Sequence, residues 1–208
     1  TVKSTIADLV QEQEVPDFQL ADAFLIPHIS GAKLLPAPMS PEQAELVRVS
    51  HIEQLLKILK DNFDYIILDT APFYSDINLA ALEASDKIFL ILNQELTTLK
   101  HIKTAQDILT ALNHGDKVRV ILNQNNNEGI KVKELEKSLG ISISAAIPED
   151  QKTVKGSINK GIPFVMGQPH AKISSCISNL LNALDMGSVN DPSEPERKRS
   201  AVSRLFRR

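Results

Sequence analysis

The stretch that most narrows what this chain can fold into is Phe63 to Pro72, FDYIILDTAP. Four large residues, Tyr65 to Leu68, follow one another without polar alternation and stop at a carboxylate, Asp69. Such a run suits a strand buried on both faces, as in a parallel sheet covered by helices. An acid at the carboxyl end of that strand stands on the rim where open α/β sheets bind ligands. Two chemistries place an aspartate there. In phosphate-handling ATPases it holds magnesium, usually through water, because the hard cation prefers oxygen ligands and keeps part of its hydration shell. In signalling receivers the acid is itself phosphorylated. The plain alternative is an aspartate that only caps the next helix.

The rest of the chain alternates helical and strand patterns. Ser4 or Thr5 opens a helix carrying Ile6, Leu9 and Val10, and Asp17 to Phe24 reads as a second. Pro27 ends that helix, and Ala32 to Leu35 is a short strand closed by Pro36, Pro38 and Pro41. Pro41 to Lys60 is helical with a break near Val49 and Ser50, and Ile52, Leu55, Leu56 and Leu59 form its stripe. Ser75 caps a helix after Asp69. Next come a strand at Lys87 to Leu92, a helix opened by Thr97 or Thr98 and ended by Gly115, and a strand at Lys117 to Leu122. A polar loop covers Asn123 to Gly129. A helix from Lys131 to Leu139 ends at Gly140, and a strand at Ile143 to Ile147 stops at Pro148. Helices follow at Asp150 to Asn159 and His170 to Leu184. Strands alternating with helices of this length predict an α/β fold, doubly wound, with a mostly parallel sheet and helices on both faces.

A chain of 208 residues with 42% hydrophobic and 24% charged residues has the composition of a soluble globule with a real core. Cys176 is the one cysteine, so no disulfide framework exists within the chain and a reducing compartment is expected. No apolar run is long enough to cross a bilayer and no signal-peptide pattern opens the chain, so the cytoplasm is expected. The five histidines, at 28, 51, 101, 114 and 170, share no metal-ligand spacing.

The net charge of −3 is unevenly spread: Arg197, Lys198, Arg199, Arg204, Arg207 and Arg208 crowd the end of the chain. The organisation expected is a globular part over 1–185, a flexible linker over 186–196 rich in Gly, Ser, Asn, Asp and Pro, and a basic tail over 197–208. If helical, the tail puts Ala201, Val202, Leu205 and Phe206 on one face among arginines. That composition suits peripheral contact with anionic lipid at the inner face of the membrane, the alternative being a disordered basic end. No aromatic stacking platform accompanies the arginines, so nucleic acid is not the expected partner.

In order and spacing, FDYIILDTAP, KIFLILNQE, TTLKHIKTAQDIL, VRVILNQ and AAIPEDQKTVKGSINKGIPFV resemble the MinD/ParA family of P-loop ATPases. SGAKLLPAPMSPEQAELV is similar to its CpaE/TadZ branch, associated with pilus assembly and polar localisation. The resemblance covers roughly residues 5 to 185. It implies that Asp69 is the acid that orders a magnesium-bound water, the one catalytic and metal residue expected here. It implies that Asn123 meets the adenine ring, that Pro148, Glu149 and Asp150 form the loop closing over the base, and that Thr70 to Asp76 form the switch segment. The cofactors implied are ATP and magnesium. The partners implied are a second copy, joined around nucleotide, and a pilus, secretion or division-site protein.

One departure dominates. None of the eight glycines belongs to a Gly-Lys-Thr or Gly-Lys-Ser loop, the element that cradles a triphosphate in its backbone N–H groups. The chain also opens on threonine. It is therefore read as the carboxyl-terminal two-thirds of such an ATPase, incomplete at the N-terminus and inactive alone, with the parent an ATP hydrolase. A scaffold of the same fold that has lost turnover stays open beside that reading. A receiver domain does not fit well: its pattern asks for an acidic pair, a hydroxyl and a lysine at successive strand ends, whereas here they carry Asn93 with Gln94 and Asn123 with Gln124.

Overall fold

The computed structural model describes residues 4–184, so the expected linker and basic tail lie outside the described residues. The chain divides into two compact units, one ending at Ser85 and the other beginning at Asp86.

The first unit is built from helices α1 (Ile6–Glu12), α2 (Phe18–Phe24), α3 (Pro41–Ala44), α4 (Val49–Lys60) and α5 (Asp76–Ala84), with a two-stranded antiparallel ribbon of β1 (Ile26–Pro27) and β2 (Lys33–Leu34). Local chemistry starts most of these helices. The Asp8 carboxylate accepts from the Thr5 N–H at 2.6 Å and the Thr5 hydroxyl at 2.8 Å, covering the start of α1. Asp17 accepts from the Leu20 N–H at 2.8 Å. Leu9, Ala21, Leu55 and Leu59 form the core between α1, α2 and α4, and Phe63 and Ile66 pack onto it. Phe63 also meets Phe18 edge-on, with ring centroids 6.1 Å apart.

The expected strand at Tyr65–Leu68 does not form. Residues 65–70 join no ladder among the described residues, and Ile67 is 88% exposed. A strand is held by ladder bonds to a neighbour, and an apolar run does not by itself supply one. Here the run is anchored instead through Phe63 and Ile66 on the helices. One smaller expectation is also corrected. The break between α3 and α4 falls at residues 45–48, where the Arg48 N–H donates to the buried His51 ring at 3.1 Å. Helix α2 ends at Phe24, ahead of Pro27 as expected, and Pro27 itself lies in β1, paired with Lys33.

The second unit is a parallel α/β layer. Strands β3 (Ile88–Leu92), β4 (Val118–Asn125) and β5 (Ile143–Pro148) lie in the order β3-β4-β5 with parallel pairing throughout. Helix α6 (Leu96–Ala111) with a short 3₁₀ turn (Gly115–Lys117) connects β3 to β4, and α7 (Val132–Leu139) connects β4 to β5. Helices α8 (Gln151–Lys160), α9 (Phe164–Gly167) and α10 (Lys172–Ala183) follow. Leu92, Ile102, Val120, Leu122, Leu135 and Leu139 form the core between the sheet and α6 and α7. These observations confirm the expected α/β class.

Helix ends follow backbone conformation. Gly140 closes α7 at φ +65°, as expected, a conformation that costs an L side chain more than glycine. At the end of α6 the left-handed position is taken by Asn113 at φ +60° and not by Gly115. Helix α6 starts at Leu96, ahead of the expected Thr97 or Thr98, and the Thr98 hydroxyl reaches back to Asn93 Oδ1 at 2.6 Å. Strand β4 runs three residues past its expected end, through Asn125, because Asn125 still pairs with Pro148.

Candidate functional site

Asp69 and the segment after it belong to the first unit. Asp69 is exposed at the end of the run that forms no strand. The chain between it and α5 is folded back by one amide: Asn78 Nδ2 donates to the Ala71 carbonyl at 3.2 Å and to the Phe73 carbonyl at 2.7 Å. Ser75, as expected, caps α5 by accepting from the Asn78 N–H at 3.2 Å. Asn78 therefore fixes residues 71–75 from both its backbone and its side chain. Partial burial pushes the Tyr74 phenol above its ordinary value.

Asn123, Pro148, Glu149 and Asp150 belong to the second unit and gather where parallel strands predict, at the carboxyl ends of the adjacent strands β4 and β5. Pairing slips once between Val120↔Ile143 and Ile121↔Ala145 and again between Leu122↔Ala146 and Asn125↔Pro148, with Gln124 at φ +54° in the second irregular stretch. The Asn123 side-chain oxygen accepts from the Gln124 N–H at 3.0 Å, which leaves its NH₂ group without a partner among the described residues.

The loop after β5 is more committed internally than its sequence suggests. The Glu149 N–H donates to the Asn125 carbonyl at 3.1 Å, and Pro148 has no N–H, so Asp150 carries the loop's remaining backbone donor. Glu149 takes hydrogen bonds on both oxygens, from Asn126 at 2.8 Å and from Gln151 at 2.7 Å. Asp150 caps α8 by accepting from the Thr153 N–H at 3.0 Å. Hydrogen bonds from Asn126 and Gln151 hold the Glu149 carboxyl below its ordinary value. Those from the Thr153 backbone and hydroxyl, with the positive charge of Lys152, do the same for Asp150.

The sign of the resulting pH dependence follows. A carboxylate whose folded pKa is depressed contributes stability that is complete above its unfolded value, about 4. That contribution is lost as pH falls through the lower folded value. Urea unfolding followed from about pH 5 down to about pH 2 is therefore expected to show falling stability, with a shallower fall in Asp150→Asn. Parallel curves for the two proteins would show that Asp150 carries no share.

Three residues of this rim were not anticipated from sequence as site residues: Gln94, Asn126 and Asn93. The Gln94 side chain accepts from the Asn126 N–H at 2.8 Å and donates to the Ile130 carbonyl at 2.9 Å. Asn126 in turn holds Glu149. Their signal was present as amides at successive strand ends, which read as ordinary solvated loop until the strands are placed side by side. Among the described residues no group of three or more His, Cys, Asp or Glu is arranged to hold a metal.

A parallel sheet with amides and acids on its carboxyl-end loops defines an α/β ligand-binding domain of the open-sheet class. The chain belongs to the MinD/ParA family of P-loop ATPases: the family model described as AAA domain (AAA_31) matches residues 2–128, more than half of the chain. An uncharacterised ATP-binding protein of Methanocaldococcus jannaschii is 23% identical over 179 residues, covering 85% of this chain and 67% of that protein. The septum site-determining protein MinD of Synechocystis is 25% identical over 158 residues, covering 73% of this chain and 58% of that protein. Among solved structures, a ParA family ATPase from Chlorobium tepidum superposes with a TM-score of 0.79 at 24% identity, covering 88% of this chain and 77% of that one. The Pyrococcus horikoshii MinD complexed with Mg-ADP superposes with a TM-score of 0.72 at 20% identity, covering 90% and 75%. These superpositions establish the fold.

Proposed function

We propose that this chain carries the base-recognising side, and one magnesium-side acid, of an ATPase that binds ATP with magnesium, joins a second copy around the nucleotide and places a partner protein. The observation that carries this reading is the gathering of Asn123 and the Pro148–Asp150 loop at the ends of adjacent parallel strands. Pilus assembly and polar or septal localisation are the processes that suit it, in line with the CpaE/TadZ-like sequence of the first unit.

The donor sets fit an adenine and a magnesium ion unequally. Asn123 has an uncommitted NH₂ donor and Asp150 an N–H, which suits the acceptor nitrogens of a purine edge. Asp69 offers one exposed carboxylate, enough to hold a hydrated magnesium ion through water but not to cage it. When bound, that ion supplies neutralisation of charge at the phosphates. Asn123 orients the base, Asp150 adds a backbone donor, and Glu149 and Asn126 keep that loop in place. No residue of the 208 forms a Gly-Lys-Thr or Gly-Lys-Ser cradle, so the triphosphate is gripped by elements outside this sequence. No helix among the described residues is long and apolar enough to cross a membrane. Attachment of the protein to a membrane would be peripheral, through Arg197 to Arg208.

Calorimetric titration of the full natural polypeptide with ATP and with GTP tests this. Tighter binding of ATP is expected, with the preference falling about tenfold in Asn123→Ala, the loss of one hydrogen bond in a desolvated site. Equal binding of the two nucleotides, unchanged by the substitution, would remove the base site. ATP binding without hydrolysis would instead identify a localisation scaffold that has kept the pocket and lost turnover.

A further inference from the structure

We infer that Gln94 and Asn126 are positioning residues for base recognition, tying the loop after β4 to the loop after β5 so that the grip on adenine depends on an amide one strand away. This rests on the base-site reading above. Regular pairing between β3 and β4 stops at Leu92↔Leu122. Beyond it, the Gln94 side chain takes over from the backbone: Oε1 accepts from the Asn126 N–H at 2.8 Å, while Nε2 donates to the Asn126 carbonyl at 3.3 Å. That is the donor and acceptor pair a strand residue would present, so a side-chain amide continues the ladder where the main chain has turned away into α6. The second hydrogen on Nε2 goes to the Ile130 carbonyl at 2.9 Å, closing the loop 126–130 onto one group.

The loop is shaped around that amide. Asn126 Oδ1 accepts from the Glu128 N–H at 2.9 Å and the Gly129 N–H at 3.0 Å, a tight side-chain turn. Gly129 then passes so close to Gln94 that a Cβ there would lie 2.4 Å from Gln94 Cβ. The remaining function of Asn126, its NH₂ group, donates to Glu149 at 2.8 Å, and Glu149 also receives Gln151 at 2.7 Å. A continuous path of hydrogen bonds thus runs Gln94, Asn126, Glu149, Gln151 across three strand ends.

Glutamine is the side chain this position demands. A glutamate at 94 would keep the acceptor for the Asn126 N–H but set a carboxylate oxygen against two carbonyls, those of Asn126 and Ile130. Asn126→Ala is the milder break: it keeps the Gln94 bonds to the backbone and cuts only the side-chain turn and the link to Glu149.

The test measures amide hydrogen exchange and ATP and GTP affinities on the full natural polypeptide and on Gln94→Glu, Asn126→Ala and Asn123→Ala. Gln94→Glu is expected to speed exchange across 126–130 and to weaken ATP binding about tenfold, narrowing the preference over GTP. Asn126→Ala is expected to act in the same direction and more weakly. Unchanged exchange at 126–130 in Gln94→Glu overturns the clamp whatever the nucleotides do. Faster exchange with the full ATP preference retained overturns the positioning role. If the unsubstituted protein and Asn123→Ala bind ATP and GTP alike, the base-site reading itself has failed and the positioning role falls with it.

Discussion

On the function proposed above, Asp69→Asn is expected to lower magnesium-dependent ATP hydrolysis by the full natural polypeptide by about two to three orders of magnitude, the usual consequence of removing one pre-placed electrostatic group from a phosphate-handling site. The substitution keeps the size of the side chain and removes one charge. Asp69 is exposed, so the folded state should lose no more than about 0.5 kcal/mol. Nucleotide affinity in the absence of magnesium should be unchanged, because the proposed role of Asp69 acts only through the ion. Affinity in its presence should fall, because an amide is a poorer partner than a carboxylate for water bound to a hard cation. Steady-state hydrolysis with magnesium varied, set beside unfolding midpoints, separates these effects. Hydrolysis at the unsubstituted rate would mean that Asp69 only precedes the α5 cap, and the magnesium-side assignment would go.

What was legible beforehand was mostly short-range. Thr5, Asp17, Ser75, Asp150 and Gly140 each act within four residues along the chain and bound their helices near where the pattern puts the ends, whereas the partner of Thr5, Asp8, was not read. The apolar runs at Ile88–Leu92 and Ile143–Pro148 became strands because neighbours of the same kind lay one crossover away. Tyr65–Leu68 is also apolar yet joins no ladder among the described residues, so composition reports what a segment can bury and not whether it pairs as a strand. Pro27 does stand beyond a helix end, as its chemistry predicts, and what its neighbourhood did not announce is its pairing with Lys33, six residues on.

The rim was legible only in part for the same reason. Asn123 and Pro148–Asp150 were singled out through an ordered resemblance, and they lie at the ends of the adjacent strands β4 and β5. The function of Glu149 as a strut held from both sides was hidden, because its donor Asn126 is 23 residues away. Gln94, 32 residues from Asn126, was visible as a strand-end amide but had no role until the parallel register set it beside that loop. Contacts of that span depend on which strands lie side by side and in what register, and so on residues far apart along the chain.

Leu122→Ala lowers the stability of the second unit by about 3 to 5 kcal/mol, the upper part of the range for a buried leucine cut to alanine. Leu122 has no exposed surface and lies on the middle strand, paired with Leu92 on one side and Ala146 on the other. Strands on both flanks prevent the site from collapsing around the missing atoms, so most of the cavity persists. Leu135, equally buried but on α7, can be compensated by a small helix shift, and Leu135→Ala should cost less, about 2 to 3 kcal/mol. Against a total of about 5 to 15 kcal/mol for a domain, either loss is large, and urea midpoints for the two variants rank them directly. The reverse ranking would mean that the helix, and not the strand, is the rigid side of this core. The consequence reaches the rim because Asn123 follows Leu122 directly in β4, so a strand that shifts to fill the space at Leu122 carries Asn123 with it. A Leu122→Ala protein that still folds should therefore show weakened adenine preference without any change at Asn123 itself.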